Sequence, residues 1–129
     1  MGIDGNEKYP LKEECYAVIG CAMYVHNELG PGFLEAVYQE AMEIELEENN
    51  IPFVREKPLN ITFRNRVLRK KYYADFLCYD ELIVELKACD SIIDDHIAQA
   101  INYLTDTKLK VALLLNFGSR RLQYKRVIV

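Results

Sequence analysis

Three side chains of this 129-residue chain have types and spacing that could do chemistry together: Asp75, Glu85 and Lys87. They lie in RKKYYADFLCYDELIVELKACD, from Arg69 to Asp90, which reads as two strands joined by a tight turn at Tyr79-Asp80-Glu81. One face alternates as Tyr72, Ala74, Phe76, Cys78, then Leu82, Val84, Leu86, Ala88, a period of two over both arms. Opposed residues of an antiparallel pair share a face, so paired numbers sum to an even number and the loop holds an odd number of residues. Centring the loop on Asp80 sets Asp75 opposite Glu85 and Tyr73 opposite Lys87. Two carboxylates and one ammonium then meet on the odd face, beside an apolar core. That is costly unless the charges are used or paired.

Two carboxylates on one face can hold a hard divalent cation through oxygen, and Mg²⁺ takes one or two carboxylates plus water and substrate phosphate. A lysine two residues from such a ligand can hold or deprotonate an attacking water, while a metal lowers that water's pKa and stabilises charge on a phosphoryl oxygen. This suits phosphodiester hydrolysis. The other reading of the same residues is a cross-strand salt bridge, worth about 0–1 kcal/mol if exposed. Glu-x-Lys alone is common in a charged chain. Its specificity comes from sitting inside the apolar run Leu82 to Ala88, with an aspartate opposite by register.

The elements that must position these residues follow from periodicity. Leu11 to Leu29 carries Cys15, Val18, Ile19, Ala22, Val25 and Leu29 as a helical stripe, and Gly30-Pro31-Gly32 ends it. A second helix is expected from Phe33 to Glu48, with Leu34, Val37, Tyr38, Ala41 and Ile44 facing inward. Phe53–Arg55 and Leu59–Phe63 alternate as strand, with Asn65-Arg66 turning into the central hairpin. Asp94 to Thr107 returns to helical spacing, burying Ile97, Ala100, Ile101 and Leu104, and Ser91 with Asp94 resembles a capping box. Val111–Leu115 reads as a fully buried strand, and Leu122–Val129 as a last strand.

Length fits one domain over residues 1–129, with 1–10 as a flexible lead-in. No run approaches a membrane span, and the start lacks both a secretion signal and the serine or threonine of a myristoylation site, so a cytoplasmic protein is expected. Cys15, Cys21, Cys78 and Cys89 form no C-x-x-C pair and read as free thiols rather than a zinc site. The net charge of −4 hides an asymmetry: residues 1–50 hold 11 acidic and 2 basic side chains, residues 51–129 hold 9 acidic and 14 basic. A polyanion would approach the second half. Arg64, Arg66, Arg69, Lys70 and Lys71 cluster there, either as phosphate contacts or as solvated turn residues.

On these residues the chain resembles the PD-(D/E)xK nuclease superfamily, and in it the GxxExxY-type family of small prokaryotic proteins. Gly32-Phe33-Leu34-Glu35-Ala36-Val37-Tyr38 matches the motif that names that family; Ala74-Asp75-Phe76 and Ile83–Ala88 match its core strands. Ala98–Leu104 matches its next helix, and Leu113–Gly118 its late strand and turn. The resemblance implies an α/β, restriction-endonuclease-like core, a mixed sheet flanked by helices in the order α-α-β-β-β-α-β-β. It implies Mg²⁺ or Mn²⁺ at Asp75 and Glu85, with the Leu86 carbonyl as a further ligand and Lys87 positioning the water. Gln99 and Tyr103 look like the Q-x-x-x-Y pair of RecB-like nucleases, which supports the site and contacts DNA. Glu35 looks like the helical glutamate that ligates metal directly or through water; its alternative is an acid in a helix's first turn. His26 and His96 read as structural histidines, with His96 a candidate to line the site.

The activity so implied is hydrolysis of DNA, or RNA, with nucleic acid as partner, Arg69, Lys70 and Lys71 among its contacts, and no membrane. The alternatives are an inactive nuclease-like fold that binds nucleic acid or protein, and a domain working within a homo-oligomer or larger complex.

Overall fold

The computed structural model describes residues 9–129, so the lead-in expected at the amino terminus lies outside the described residues up to residue 8. Helices α1 (Lys12–Leu29) and α2 (Glu35–Glu48) come first. Strands β1 (Phe53–Leu59), β2 (Thr62–Phe63), β3 (Arg66–Val67), β4 (Tyr72–Cys78) and β5 (Leu82–Lys87) follow, then α3 (Asp94–Thr107), β6 (Val111–Asn116) and β7 (Gln123–Ile128). The five long strands form one sheet in the order β1-β4-β5-β6-β7. Only β5 and β6 run parallel, because α3 carries the chain across between them. β2 and β3 stand apart as a two-stranded ribbon, so five strands rather than three separate α2 from α3.

Apolar residues on both sheet faces explain why helices cover both. Phe76, Cys78, Leu82, Val84, Leu86, Val111, Leu113 and Leu115 pack against α1 and α2. Leu77, Ile83, Ala112 and Leu114 pack with Ala100 and Leu104 of α3. The stripe of α1 is buried nearly as expected. That of α2 is rotated: Tyr38, Met42 and Leu46 are buried, whereas Leu34 is 79% exposed and Ile44 56%. Position i, i+4, i+8 is the face that meets the sheet, and α2 carries apolar residues on its outer side as well. On α3, Ile101 is exposed too. The Ser91–Asp94 capping box is absent: Ile93 is the N-cap, and its N–H donates to Nδ1 of His96.

Tyr38 ties the α1–α2 turn to the core. Its ring stacks on Phe117 with centroids 4.7 Å apart, and its hydroxyl donates to the Gly30 carbonyl (2.5 Å) while accepting from Phe33 N–H (3.2 Å). Gly30 and Gly32 both have positive φ there, a conformation that favours glycine. Cys15, Cys21 and Cys78 are buried free thiols, which burial pushes up to about 11, 11 and 12.

Candidate functional site

The β4–β5 hairpin has the register its face pattern demands. Phe76 pairs with Val84, Leu77 with Ile83 and Cys78 with Leu82, about a loop of Tyr79, Asp80 and Glu81. Tyr79 and Asp80 both have positive φ and Glu81 N–H donates to the Cys78 carbonyl, a primed turn followed by one extra residue that keeps the count odd.

Pairing stops at Phe76–Val84, and there the strands part. β5 continues beside β6 to Lys87, while β4 continues beside β1 to Tyr72. The ladder bonds lost at this fork are replaced by side chains. Asp75 Oδ2 accepts from the Leu86 N–H (2.7 Å), and Glu85 Oε2 accepts from the Asp75 N–H (3.3 Å). Each carboxylate is thus held by backbone of the neighbouring strand, and Asp75 and Glu85 are indeed opposite one another.

Below the fork the expected alternation fails. Tyr72 and Ala74 pack on the α3 side with Leu77, not with Phe76. Partner strand β1 makes the same switch: Phe53 packs toward α1 and α2, Leu59 toward α3. Between them Glu56 has φ +53°, and pairing resumes at Lys57–Ala74 beyond Arg55–Phe76. The two strands turn over together at Glu56 and Asp75. Tyr73 consequently pairs with Pro58 and points to solvent, rather than opposing Lys87.

The switch brings Tyr72 to the site. Its hydroxyl acts on the Glu85 carboxyl, opposing the rise that burial causes, and its ring stacks on Tyr103 with centroids 3.5 Å apart and 12° between planes. Burial and then Glu85 raise Tyr103, and Gln99, one helical turn before it, opposes the rise. Tyr103 therefore lies against Tyr72, with one face of its ring already covered.

Charge at the fork is unbalanced. Glu85 is 7% exposed, and its carboxyl is pushed up to about 7, first by burial and then by the charge of Asp75; Tyr72, the Asp75 N–H and Lys87 oppose the shift. Asp75 is also raised, first by burial, partly offset by the Leu86 N–H, with Glu35 and Glu56 raising it and Lys87 lowering it. Burial and the carboxylates of Glu85 and Asp75 likewise raise Tyr72. Among the described residues Lys87 makes no ion pair within 4 Å of either acid, so the cross-strand salt bridge is not formed. Two desolvated carboxylates lacking a paired counterion are a donor set that a divalent cation fits, since Mg²⁺ needs only one or two and keeps its waters. No three His, Cys, Asp or Glu side chains among the described residues form a ready cage, and Glu35, exposed at the start of α2, acts on Asp75 through its charge alone.

The remaining expected residues divide. Arg69 and Lys70 are exposed just before β4, at the sheet end that holds Lys87; Lys71 donates to Asn60 Oδ1 (2.8 Å). His96 caps α3, and His26 donates through Nε2 to the Ser119 carbonyl (3.0 Å), so both histidines are structural.

Sequence reasoning missed a clamp. Asn116, fully buried, accepts at Oδ1 from Cys89 N–H and Gly118 N–H and donates through Nδ2 to the Cys89 carbonyl and Gln123 Oε1. Gln123 Oε1 also accepts from Ile92 N–H. Together they fasten the loop between β5 and α3, and hence Lys87 and Gln99. A Cβ on Gly118 would lie 2.4 Å from Cys89 N, so that close approach requires glycine. The available signal was an amide ending a wholly apolar strand. Also missed was Gln39 of α2, whose Nε2 donates to the Asp75 carbonyl (3.5 Å) while Arg55 donates to its Oε1.

No helix among the described residues is long and apolar enough to cross a membrane. No curated protein matches the chain. Among solved structures it is similar to "Crystal structure of SSO0001", with a TM-score of 0.59 and 17% identity, over 92% of this chain and 59% of that one. At that identity the likeness speaks for the fold, and this chain spans about three fifths of that protein's length. The PD-(D/E)XK nuclease superfamily matches residues 12–127, and the mixed sheet with helices on both faces is its restriction-endonuclease-like fold. On that match and that architecture, the chain belongs to the PD-(D/E)XK nuclease superfamily.

Proposed function

We propose that this protein hydrolyses DNA phosphodiester bonds, with Mg²⁺ or Mn²⁺ held by Asp75 and Glu85. The observation that carries the reading is the fork itself: a buried carboxylate on Glu85 and a half-buried one on Asp75, both raised, with Lys87 alongside and in no ion pair among the described residues. The Leu86 carbonyl, one residue past Glu85 in the chain, is a further ligand, and Glu35 adds negative charge from the start of α2. We assign the chain to the GxxExxY-type branch on Gly32, Glu35 and Tyr38.

The bound cation supplies Lewis acidity and stabilises charge on the phosphoryl oxygens. The chain's own residues do the rest. Lys87, two positions from Glu85 on one strand face, orients the attacking water and offsets the negative charge that develops on its oxygen as the proton passes to solvent. Tyr72 fixes the Glu85 carboxylate; Gln99 and Tyr103 brace Tyr72 from behind. Asp75 is held from both sides, by Leu86 N–H at its carboxylate and Gln39 at its carbonyl. Such second contacts set the geometry on which rate depends.

Lys87→Ala tests the assignment. It should lower cleavage of duplex DNA by about 100-fold or more, the usual worth of a group that offsets developing charge, while Mg²⁺ binding and melting temperature persist. A variant that cuts as fast as wild type would refute the role. So would wild-type protein that binds no Mg²⁺ at millimolar concentration.

A further inference from the structure

The β2–β3 ribbon serves no purpose in the core. It forms its own sheet, and every residue from 62 to 70 is exposed, including Phe63, Val67 and Leu68. A two-stranded ribbon without an apolar backing is marginal in water. This one is anchored at its stem instead: Thr62 N–H and Oγ1 donate to the two carboxylate oxygens of Asp106 at 3.1 and 3.2 Å, and Leu68 N–H donates to the Ile61 carbonyl. Arg64 and Asn65 at its tip have positive φ, the twist that closes a tight hairpin.

Its two faces differ. Thr62 pairs with Val67 and Phe63 with Arg66, so each pair shares a face. The Thr62–Val67 face is turned to α3 by Asp106. The other presents Phe63 and Arg66 to solvent, with Arg64 lying 5.9 Å over the Phe63 ring. From residue 57 to residue 74 there is no acidic side chain, while Lys57, Arg64, Arg66, Arg69, Lys70 and Lys71 are all cationic.

Its position matters as much as its charge. The ribbon is inserted between the end of β1 and the start of β4, and β4 runs antiparallel to β5, so it springs from the sheet end that holds Lys87. Tyr72, the first residue of β4, stacks on Tyr103 beside the fork. From Tyr72 to Arg66 an extended chain spans at most about 20 Å, or about six base pairs at 3.4 Å each.

We propose that the ribbon enters the major groove of a B-form DNA duplex, Arg64 and Arg66 engaging phosphates and base edges and Phe63 lying against the groove's apolar edge. Arg69 and Lys70 then follow the backbone toward the Asp75–Glu85 fork. The groove of B-form DNA, about 12 Å wide, admits a two-stranded ribbon, whereas the major groove of an A-form RNA duplex is too deep and narrow for side chains to read. The proposal rests on the nuclease reading for the nature of its polyanion, and makes duplex DNA the substrate class.

The test is fluorescence anisotropy of a labelled DNA duplex and an RNA duplex of the same sequence, in EDTA so that nothing is cut. Wild-type protein should prefer the DNA. The double variant Arg64→Glu, Arg66→Glu should bind it at least about tenfold more weakly at moderate salt, with the log–log salt slope shallower by about 2. Phe63→Ala should weaken DNA binding while leaving the slope, and all three altered side chains are exposed, so melting temperatures should not move. Equal binding of DNA and RNA duplexes, or an unchanged slope in the double variant, overturns the proposal. The two readings fail separately. Cleavage that needs Lys87 but ignores the ribbon variants sinks the ribbon and spares the site; ribbon-dependent binding by a protein that cuts no nucleic acid sinks the site and spares the ribbon.

Discussion

Glu85→Gln should stabilise the metal-free protein at neutral pH, although it removes a residue central to function. The Glu85 carboxyl rises from 4.5 to about 7 on folding, chiefly through burial and then through Asp75. The folded state therefore holds this proton more tightly than the unfolded chain does. The sign follows directly: metal-free stability is greatest below pH 4.5 and falls as pH rises through about 7. Each tenfold change in proton affinity is worth about 1.4 kcal/mol, so the full excursion amounts to about 3–4 kcal/mol. Glutamine keeps an oxygen for the Asp75 N–H and a partner for Tyr72 but carries no charge. Urea denaturation in EDTA should find the variant about 3–4 kcal/mol more stable than wild type at pH 8, with the gap closing by pH 4.5. Adding Mg²⁺ should reverse the order, because binding to the folded state alone stabilises by RT ln(1 + [L]/Kd), and only wild type retains both carboxylates. A variant less stable than wild type at pH 8, by a margin that does not change with pH, would refute the account of the fork as an uncompensated acid pair.

Two further outcomes concern the scaffold. Asn116→Ala should cost about 3 kcal/mol in chemical denaturation, since it strips partners from buried backbone groups of Cys89 and Gly118, and should lower cleavage by loosening Lys87; an effect under about 1 kcal/mol would contradict the clamp. Tyr38→Phe keeps the stack on Phe117 but loses the hydroxyl bonds to Gly30 and Phe33. A loss of about 1 kcal/mol is expected by thermal unfolding, and none would show the turn to be held by packing alone.

What could be read in the sequence depended on whether the relevant contact was local. The nearness of Asp75 to Glu85 was legible because face parity demands paired numbers of even sum, and a tight turn centred on Asp80 meets that demand. The helix Asp94–Thr107 was legible from its period, and the strand at Val111 from its short continuous apolar run. The turnover at Glu56 and Asp75 was not: no glycine marks the positive φ at Glu56, and the switch is shared between strands about twenty residues apart in sequence. That single event moved Tyr72 from an expected core position into the site. The face of α2 was misplaced because Leu34, Val37 and Ile44 compete with Met42 and Leu46, and only the position of the sheet decides between them. Asn116 and Gln123 gave no signal of their own because their partners, Cys89 and Ile92, are 27 and 31 residues away in sequence.

Crystals soaked in Mn²⁺ and measured for anomalous scattering address the fork most directly. A peak within about 2–2.5 Å of an oxygen from both Asp75 and Glu85 is the expected result. Absence of any peak there, with the two carboxyl groups instead in direct contact and sharing a proton, would contradict it.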